Sequence, residues 1–387
     1  MKYMTKEMER ELVEIRRYLH SHPELSAYEY KTTGFIEEKL KQWGIPFQRF
    51  EETGVIAWVN GSHSGQTVLL RADIDALPVK EKVEVSYRSL EEGVMHACGH
   101  DAHTAMLLEA AKVLDGKKEE LKGRVIFVFQ PAEETGSKTK KFVESELFSE
   151  VDEVFSMHVD PNILVGEISV AEGAQMAGVD DFLIEFIGEG GHGATPHLGT
   201  DAVLAGSSFI VTLQECVSRE MNPFEAVVVT VGTFHAGTKT NILAEKAQIE
   251  GNIRFFNPKL REVFPEILKR LAKGTADIYR IKSNVVYKPS LFPLYNSKNS
   301  AKRAKKCVQR LYGENALADR LPSTTSEDFS RYLEKKEGVM VFLGTWNGKK
   351  ETHYPLHHEC FLIDENALKY GCELYVEYAC EFLLEEK

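Results

Sequence analysis

The chain has 387 residues, 43% hydrophobic and 27% charged, enough apolar material for a large core divided between two domains, which excludes a disordered or fibrous protein. Lys and Arg total 47 against 59 Asp and Glu, a formal charge of -12 that argues against nucleic acid or an anionic membrane as partner. Six scattered cysteines (Cys98, Cys216, Cys307, Cys360, Cys372 and Cys380) with no CxxC pair point to a reducing cytoplasm, and no stretch approaches the roughly 20 apolar residues of a membrane span.

Along the chain, Met8, Leu12, Ile15 and Leu19 form the stripe of an amphipathic helix that ends at His20-Ser21-His22-Pro23. Ser26 and Glu29 read as a capping box, which starts a second helix near Ala27 and carries it to Trp43, with Gly44 as its stop. Residues 55–60 and 67–71 read as strands, the second running into Asp73-Ile74-Asp75. Residues 103–114 are helical in composition, whereas 123–130 and 151–158 are apolar runs suited to strands buried on both faces. This alternation predicts an α/β domain with a mostly parallel sheet, whose ligands gather beyond the carboxyl ends of the strands.

The middle of the chain changes character. Strands at 182–187, 226–233, 245–256 and 278–287 alternate with two helices, one striped by Val203, Gly206, Ile210, Leu213 and Val217, the other by Leu260, Phe264, Ile267 and Leu271. Asn257 and Pro258 suit the start of the second helix, and Pro265 is placed to kink it. The order β-α-β-β-α-β predicts a ferredoxin-like α+β domain at 177–289, inserted into a catalytic domain made of 1–176 and 290–387. Helices at 300–312 and 326–333, a strand at 339–343 and a last helix striped by Leu368, Cys372, Tyr375, Ala379 and Phe382 complete the outer domain.

The densest chemical cluster is HACGHDAH at 96–103, where Cys98 and His100 can turn a thiolate and an imidazole to one side of an extended loop. Both suit zinc and related ions, although the cluster alone fits a loop with one bonded histidine equally well. Gln130-Pro131-Ala132-Glu133-Glu134 follows one buried strand and His158 ends the next, both at the expected carboxyl edge. The paired glutamates read either as a solvated acidic turn or as a metal ligand beside a general base, and His158 as a core histidine or a ligand. The functional choice is what a hydrolase needs, one carboxylate on the metal and the other taking a proton from water between two divalent ions. The glycines at 188, 190 and 193 match a dinucleotide fingerprint as a string, but 194–197 intervene before the helix near Asp201, so no helix N-terminus meets a pyrophosphate.

The segments RRYLHSHPELS (16–26), RADIDALP (71–78), MHACGHDAHTAMLL (95–108), FQPAEE (129–134), GGHGATPH (190–197) and LHHECF (356–361) together make the chain resemble the M20 metallopeptidases. The resemblance spans nearly the whole chain and is to the amidohydrolase branch, with hippurate hydrolases, auxin-conjugate hydrolases and N-acetyldiaminopimelate deacetylases. It implies two divalent ions, zinc or manganese with cobalt or nickel as alternatives, held by Cys98, His100, Glu134, His158 and His357, with Glu133 as general base and acid. His357 rather than His358 follows the leucine as the family's ligand does. Where other members of the clan carry His-x-Asp this chain has Arg71-Ala72-Asp73, so His100 compensates for a missing histidine and Asp73 is left to orient a ligand.

The inserted domain resembles the family's lid and dimerisation domain, which implies that His192 helps hold the developing oxyanion and that Asn241 and Arg254 bind the substrate's carboxylate. Asn241-Ile242-Leu243-Ala244 departs from the usual Asn-Val-Ile-Pro of the family. The implied assembly is a homodimer or homotetramer. The implied activity is removal of an N-acyl group from an N-acyl amino acid or similar conjugate, with a dipeptidase or aminopeptidase acting on short peptides as the alternative. Outside this class stand a metal-free enzyme with Cys98 as nucleophile and a noncatalytic metal-binding protein.

Overall fold

The computed structural model describes residues 3–384, which divide into two compact units. One comprises the described chain up to Gly173, Tyr295–Leu321 and the described chain from Arg331 on; the other comprises Ala174–Leu294 and Pro322–Ser330. The division differs from the sequence expectation at the edges of the insert and in Pro322–Ser330, which the expectation placed in the outer domain.

Among these residues the first unit is built on an eight-stranded sheet. Its parallel centre runs Lys122–Gln130, His63–Asp73, Glu153–Leu164, Glu337–Trp346 in spatial order. Val55–Asn60 and Phe47–Arg49 extend it antiparallel on one side, and Ile168–Ser169 and Leu317–Ala318 complete the other. The inner strands bury consecutive residues, as at 125–130, because a covered parallel sheet leaves neither face to water. Helices Lys6–Ser21, His100–Gly116 and Ala367–Leu384 pack on one another and share a single core in which Leu12, Met106, Phe127, Phe155 and Tyr375 meet.

Local signals set most element ends, and long-range bonds override two of them. Lys6–Ser21 is capped by Thr5 and turns Leu12, Ile15 and Leu19 inward, as their spacing requires. The second helix begins at Tyr30, not near Ala27, because the capping box does not form. Ser26 Oγ instead donates to Asp75, and Glu29 accepts from the backbone N–H groups of Ala27 and Ala132. The third helix starts at His100 rather than at 103, and the helix expected at 326–333 is confined to Ser330–Leu333. The strand through His158 does not end there but continues to Leu164, with a register break opposite Gly344 that absorbs the turn-like Asp160-Pro161-Asn162. A Cβ on Gly344 would lie 2.0 Å from the Leu164 carbonyl oxygen, so that crossing requires glycine.

The second unit carries an antiparallel sheet ordered Val227–Ala236, Lys246–Phe255, Gly178–Ile187, Lys282–Leu291, with helices Ala202–Glu215 and Leu260–Tyr279 completing the β-α-β-β-α-β sequence. Alternate residues Phe182, Ile184 and Phe186 share a core with Phe209, Phe264 and Leu268. The helix that contains Pro265 runs on through it to Tyr279.

The third helix carries a carboxylate into the core. Glu109 is fully buried, neither of its oxygens has a hydrogen-bond partner among the described residues, and Lys112 Nζ stands 3.7 Å away. Burial, opposed by Lys112 and helped by Glu11, pushes its carboxyl from the usual 4.5 up to about 7. The folded chain therefore holds this proton more tightly than the unfolded one, and stability declines as pH rises between those two values and levels off above them. The loss is on the order of 3 kcal/mol. Glu109→Gln should accordingly raise the thermal midpoint by several degrees at about pH 8 and change it little near pH 4. Scanning calorimetry at both pH values checks this, and identical midpoints at the higher pH would contradict it.

Candidate metal centre and active site

His63–Asp73 ends on Asp73, and Asp75 follows after the buried Ile74. In the neighbouring strand Gln130 pairs with Asp73, and the chain then turns through Pro131 and Ala132 into Glu133 and Glu134. His158 lies in the strand on the other side, and His100 opens the helix His100–Gly116. Gly99, left-handed at φ 85°, precedes it, and a Cβ there would lie 2.5 Å from Val159 Cγ2, so glycine alone lets this loop close on the His158 strand. His357, left-handed at φ 66°, donates its backbone N–H to the Ala97 carbonyl at 2.8 Å.

These elements bring the five expected ligands together within one unit. Cys98 Sγ is 3.5 Å from His158 Nε2, and His357 Nε2 is 3.3 Å from Glu134 Oε1. The donor atoms of Cys98, His100 and His158 lie within 4.8 Å of one another, as do those of Cys98, Glu134 and His357 and those of His100, Glu133 and Glu134. Cys98, His100 and Glu134 each belong to two of these groups, so the groups form one continuous donor cluster. His358 faces elsewhere, its Nδ1 accepting from Cys360 N and its ring stacked on Tyr354.

A second layer of carboxylates holds this cluster in place. His100 Nδ1 bonds Asp75 at its carbonyl (3.0 Å) and Oδ1 (3.1 Å). Its Nε2 is buried without a hydrogen-bond partner among the described residues, 3.7 Å from Asp73 Oδ2 and 4.0 Å from Glu134 Oε1. A carboxylate on one ring nitrogen and an open second nitrogen is the arrangement that orients a metal-binding imidazole. Asp75 Oδ2 accepts from Glu134 N at 3.1 Å and Ser26 Oγ at 2.6 Å, tying the segments together. His103 has both nitrogens engaged, Nε2 by Val159 N at 2.9 Å and Nδ1 by Asp73 at 2.6 Å, and so supports the fold. Asp73 is also bonded to Arg71 at 2.7 Å. Sequence reasoning singled out Asp73 and missed Asp75; the signal available was Asp-x-Asp just past a strand end, since alternate residues of an extended chain face the same way.

Anionic donors outnumber cations here. Against the effect of burial, Asp73 and Cys98 hold the His100 imidazole well above its ordinary pKa, while bonds to Cys98 and Glu134 push His357 up to about 10. Burial raises the Cys98 thiol. Asp73 and Asp75 are held low in spite of burial, both by His100 and the former also by His103 and Arg71. Retained protons thus occupy positions that cations would balance better, and the unpartnered His100 nitrogen, the thiol, the imidazoles and the carboxylate form a donor set that suits a dinuclear site.

In the second unit, the two-residue strand Gly191–His192 pairs with Ile242–Leu243. His192 Nδ1 accepts from Ala194 N at 3.0 Å, so its neutral ring carries the proton on Nε2. The Asn241 carbonyl accepts from Gly193 N at 2.8 Å, which places Asn241 beside His192. Arg254, on Lys246–Phe255, donates from Nη1 to the Thr324 carbonyl at 2.9 Å and Ser326 Oγ at 3.2 Å. The glycines at 188–193 lead into the short turn Pro196–Leu198.

A thiol, imidazoles and a carboxylate clustered beside a second glutamate define a metal-dependent hydrolase. The chain belongs to peptidase family M20/M25/M40, whose sequence profile matches residues 69–381. It is 38% identical over 362 residues to N-acetyl-L-cysteine deacetylase of Bacillus subtilis, covering 93% of this chain and 85% of that protein. It is 37% identical over 382 residues to IAA-amino acid hydrolase ILR1-like 5 of Arabidopsis thaliana, covering 97% and 87%. A Bacillus subtilis crystal structure described as a dinuclear metal binding peptidase from the M20 family superposes with a TM-score of 0.87 at 35% identity, over 98% of this chain and 99% of that one.

Metal uptake must displace the protons that His100, His357 and Cys98 retain. Metal-free protein titrated with Mn²⁺ or Zn²⁺ near neutral pH should release about three protons per chain, and affinity should weaken as pH falls. Calorimetric titration in buffers of different ionisation enthalpy counts them, and uptake without proton release would contradict this ligand assignment.

Proposed function

We propose that this enzyme removes the N-acyl group from an N-acyl amino acid or similar conjugate. The observation that carries the reading is Glu133 standing next to Glu134 in a cluster with His100, in a chain whose relatives include a deacetylase and an IAA-amino acid hydrolase. Cys98, His100, Glu134, His158 and His357 would hold two divalent ions, zinc or manganese, with cobalt or nickel as alternatives. When bound, such ions supply the Lewis acidity that makes water a nucleophile near neutral pH.

Glu133 takes the proton from the attacking water as the C–O bond forms and returns it to the nitrogen of the departing amine as the C–N bond breaks. His192 donates its Nε2–H to the carbonyl oxygen as charge develops there. Asn241 and Arg254 hold the carboxylate of the amino acid, and the bonds from Arg254 to Thr324 and Ser326 restrain the guanidinium for that task. Asp73 acts at one remove, through His103 and Arg71, on the surroundings of His100. Hydrolysis of short peptides is the second reading, favoured by the peptidase description of the structural relative, since peptide and N-acyl bonds require the same chemistry.

A homodimer, or a tetramer made of two, is supported by Leu204 and Val211, exposed on one helix of the second unit, and by Val228, exposed on its edge strand Val227–Ala236. Light scattering should return at least twice the chain mass of 43.7 kDa, and Leu204→Glu with Val211→Glu should reduce it to one chain. Among the described residues no helix is long and apolar enough to cross a membrane. A cytoplasmic setting is supported by six cysteines without a disulfide among them.

The deciding experiment is hydrolysis of N-acetyl amino acids, N-benzoyl amino acids and dipeptides by wild type and Glu133→Gln, before and after chelation and after Mn²⁺ or Zn²⁺ is restored. Chelator should abolish activity and metal restore it, and the substitution should lower kcat by about 10²- to 10⁴-fold with both metals retained. Activity that survives both treatments would move the chemistry to Cys98.

A further inference from the structure

The turn that carries the two glutamates is left-handed at a residue with no intrinsic reason to be so. Ala132 has φ 59°, a conformation that a Cβ disfavours, and Glu133 and Glu134 follow it directly. Their directions depend on that one torsion. Upstream, Pro131 lies against Gly54, where a Cβ would stand 2.5 Å from the proline Cδ, and Pro131 has no N–H with which to anchor itself.

The Ala132 N–H points at Glu29 Oε1, 2.9 Å away. The same oxygen accepts from Ala27 N at 2.7 Å, and Ala27 is left-handed as well, at φ 67°. Glu29 is fully buried, and its Oε2 has no hydrogen-bond partner among the described residues. It stands at the N-terminal boundary of the helix Tyr30–Trp43 without making a side-chain cap bond. One turn on, Thr33 Oγ1 donates to the Glu29 carbonyl at 2.5 Å and accepts from Gly54 N at 2.9 Å, so the helix start grips both sides of the Pro131 contact. Glu134 has a separate hold, its N–H on Asp75 at 3.1 Å. A buried carboxylate that neither caps its helix nor pairs with a cation among the described residues needs another explanation, and its two amide partners supply one.

We propose that Glu29 is a positioning residue for the general base: by accepting the Ala132 N–H it fixes the left-handed turn that aims Glu133, while Asp75 independently fixes Glu134. The proposal rests on the reading of Glu133 as that base. It separates two effects that a general structural role would merge, because loss of Glu29 disturbs proton transfer and leaves the metal ligands held.

The test compares metal-loaded full-length wild type with Glu29→Ala, Glu29→Asp and Glu29→Gln. Gln keeps an acceptor oxygen in place, Asp draws it back by one methylene, and Ala removes it. Three quantities are measured: kcat and KM on an N-acetyl amino acid, metal per chain by elemental analysis, and hydrogen–deuterium exchange of the backbone amides at 130–136. In Glu29→Ala we expect kcat to fall about 10- to 100-fold with KM within about 2-fold, both metals retained, and the Ala132 amide exchanging at least about 10-fold faster. Glu29→Asp should fall between, and Glu29→Gln should stay within about 3-fold of wild type throughout. Unchanged exchange and kcat in the alanine variant would overturn the proposal, as would a glutamine variant as impaired as alanine, or metal loss in step with kcat. Should Glu29→Ala not fold, Glu29→Asp carries the same comparison. A wild type that hydrolyses no substrate would refute the amidohydrolase reading, and the exchange data would still decide whether Glu29 holds the turn.

Discussion

Buried negative charge at the carboxyl edge of the parallel sheet is the constraint around which the first unit is organised. Asp73, Asp75 and Asp101 are essentially excluded from solvent, and isolated carboxylates in such a place would cost more free energy than a domain has to spare. Each is therefore matched. Arg71, fully buried, and His103 take Asp73; His100 takes Asp75; Arg16 and His20 take Asp101 at 2.8 Å each, with His20 reaching Glu81 at 3.2 Å beyond. The network extends from the sheet through the start of the third helix into the first, which explains charged residues in the interior of a helix that otherwise buries leucine and isoleucine. Glu134 has His357 Nε2 at 3.3 Å, and Cys98, Glu134 and His357 together form a group that could hold a divalent cation.

Much of this organisation is legible in the sequence, because the site is assembled where strand patterns end. The apolar runs at 123–130 and 151–158 announce buried parallel strands, and the polar residues that end or follow them are the candidate donors. Less legible is anything that depends on a side chain reaching across the fold to a backbone group. Ser26 and Glu29 have the spacing of a cap, worth about 1 kcal/mol. Leaving the Ala132 amide buried and unpaired would cost about 1 to 3 kcal/mol, so the distant partner wins over the local one. The same competition hides the continuation of the His158 strand: Asp160-Pro161-Asn162 has turn chemistry, and Asn162 N does bond Asp160 at 2.9 Å, but the register break opposite Gly344 lets that turn sit inside a strand.

The second unit is read from the alternation of its strands, since an antiparallel sheet with one covered face shows its period directly; Gly178–Ile187 buries every second residue. Its candidate functional residues carry no such signature. Asn241 and Arg254 look like an ordinary turn asparagine and strand arginine, and only the tertiary bonds of their surroundings, Gly193 N on the Asn241 carbonyl and Arg254 on Thr324 and Ser326, set them apart. Pro322–Ser330 joins this unit although it is distant in sequence, through bonds such as Ser323 N to Gln175 O at 2.9 Å that no pattern within the segment foretells.

The placement of the proposed ligands along the chain also bears on how the cluster comes into being. Cys98, His100, Glu134 and His158 all precede the insert, whereas His357 follows it. During synthesis the first four emerge while the inserted unit, the central strand Glu337–Trp346 and His357 are still unmade, so the cluster stays incomplete until nearly the whole polypeptide has been translated. The loop closed when His357 arrives contains an independently cored unit rather than a flexible segment, and the entropy of closing it is correspondingly smaller than its length suggests. The proposed centre can therefore be completed only after the insert has been synthesised.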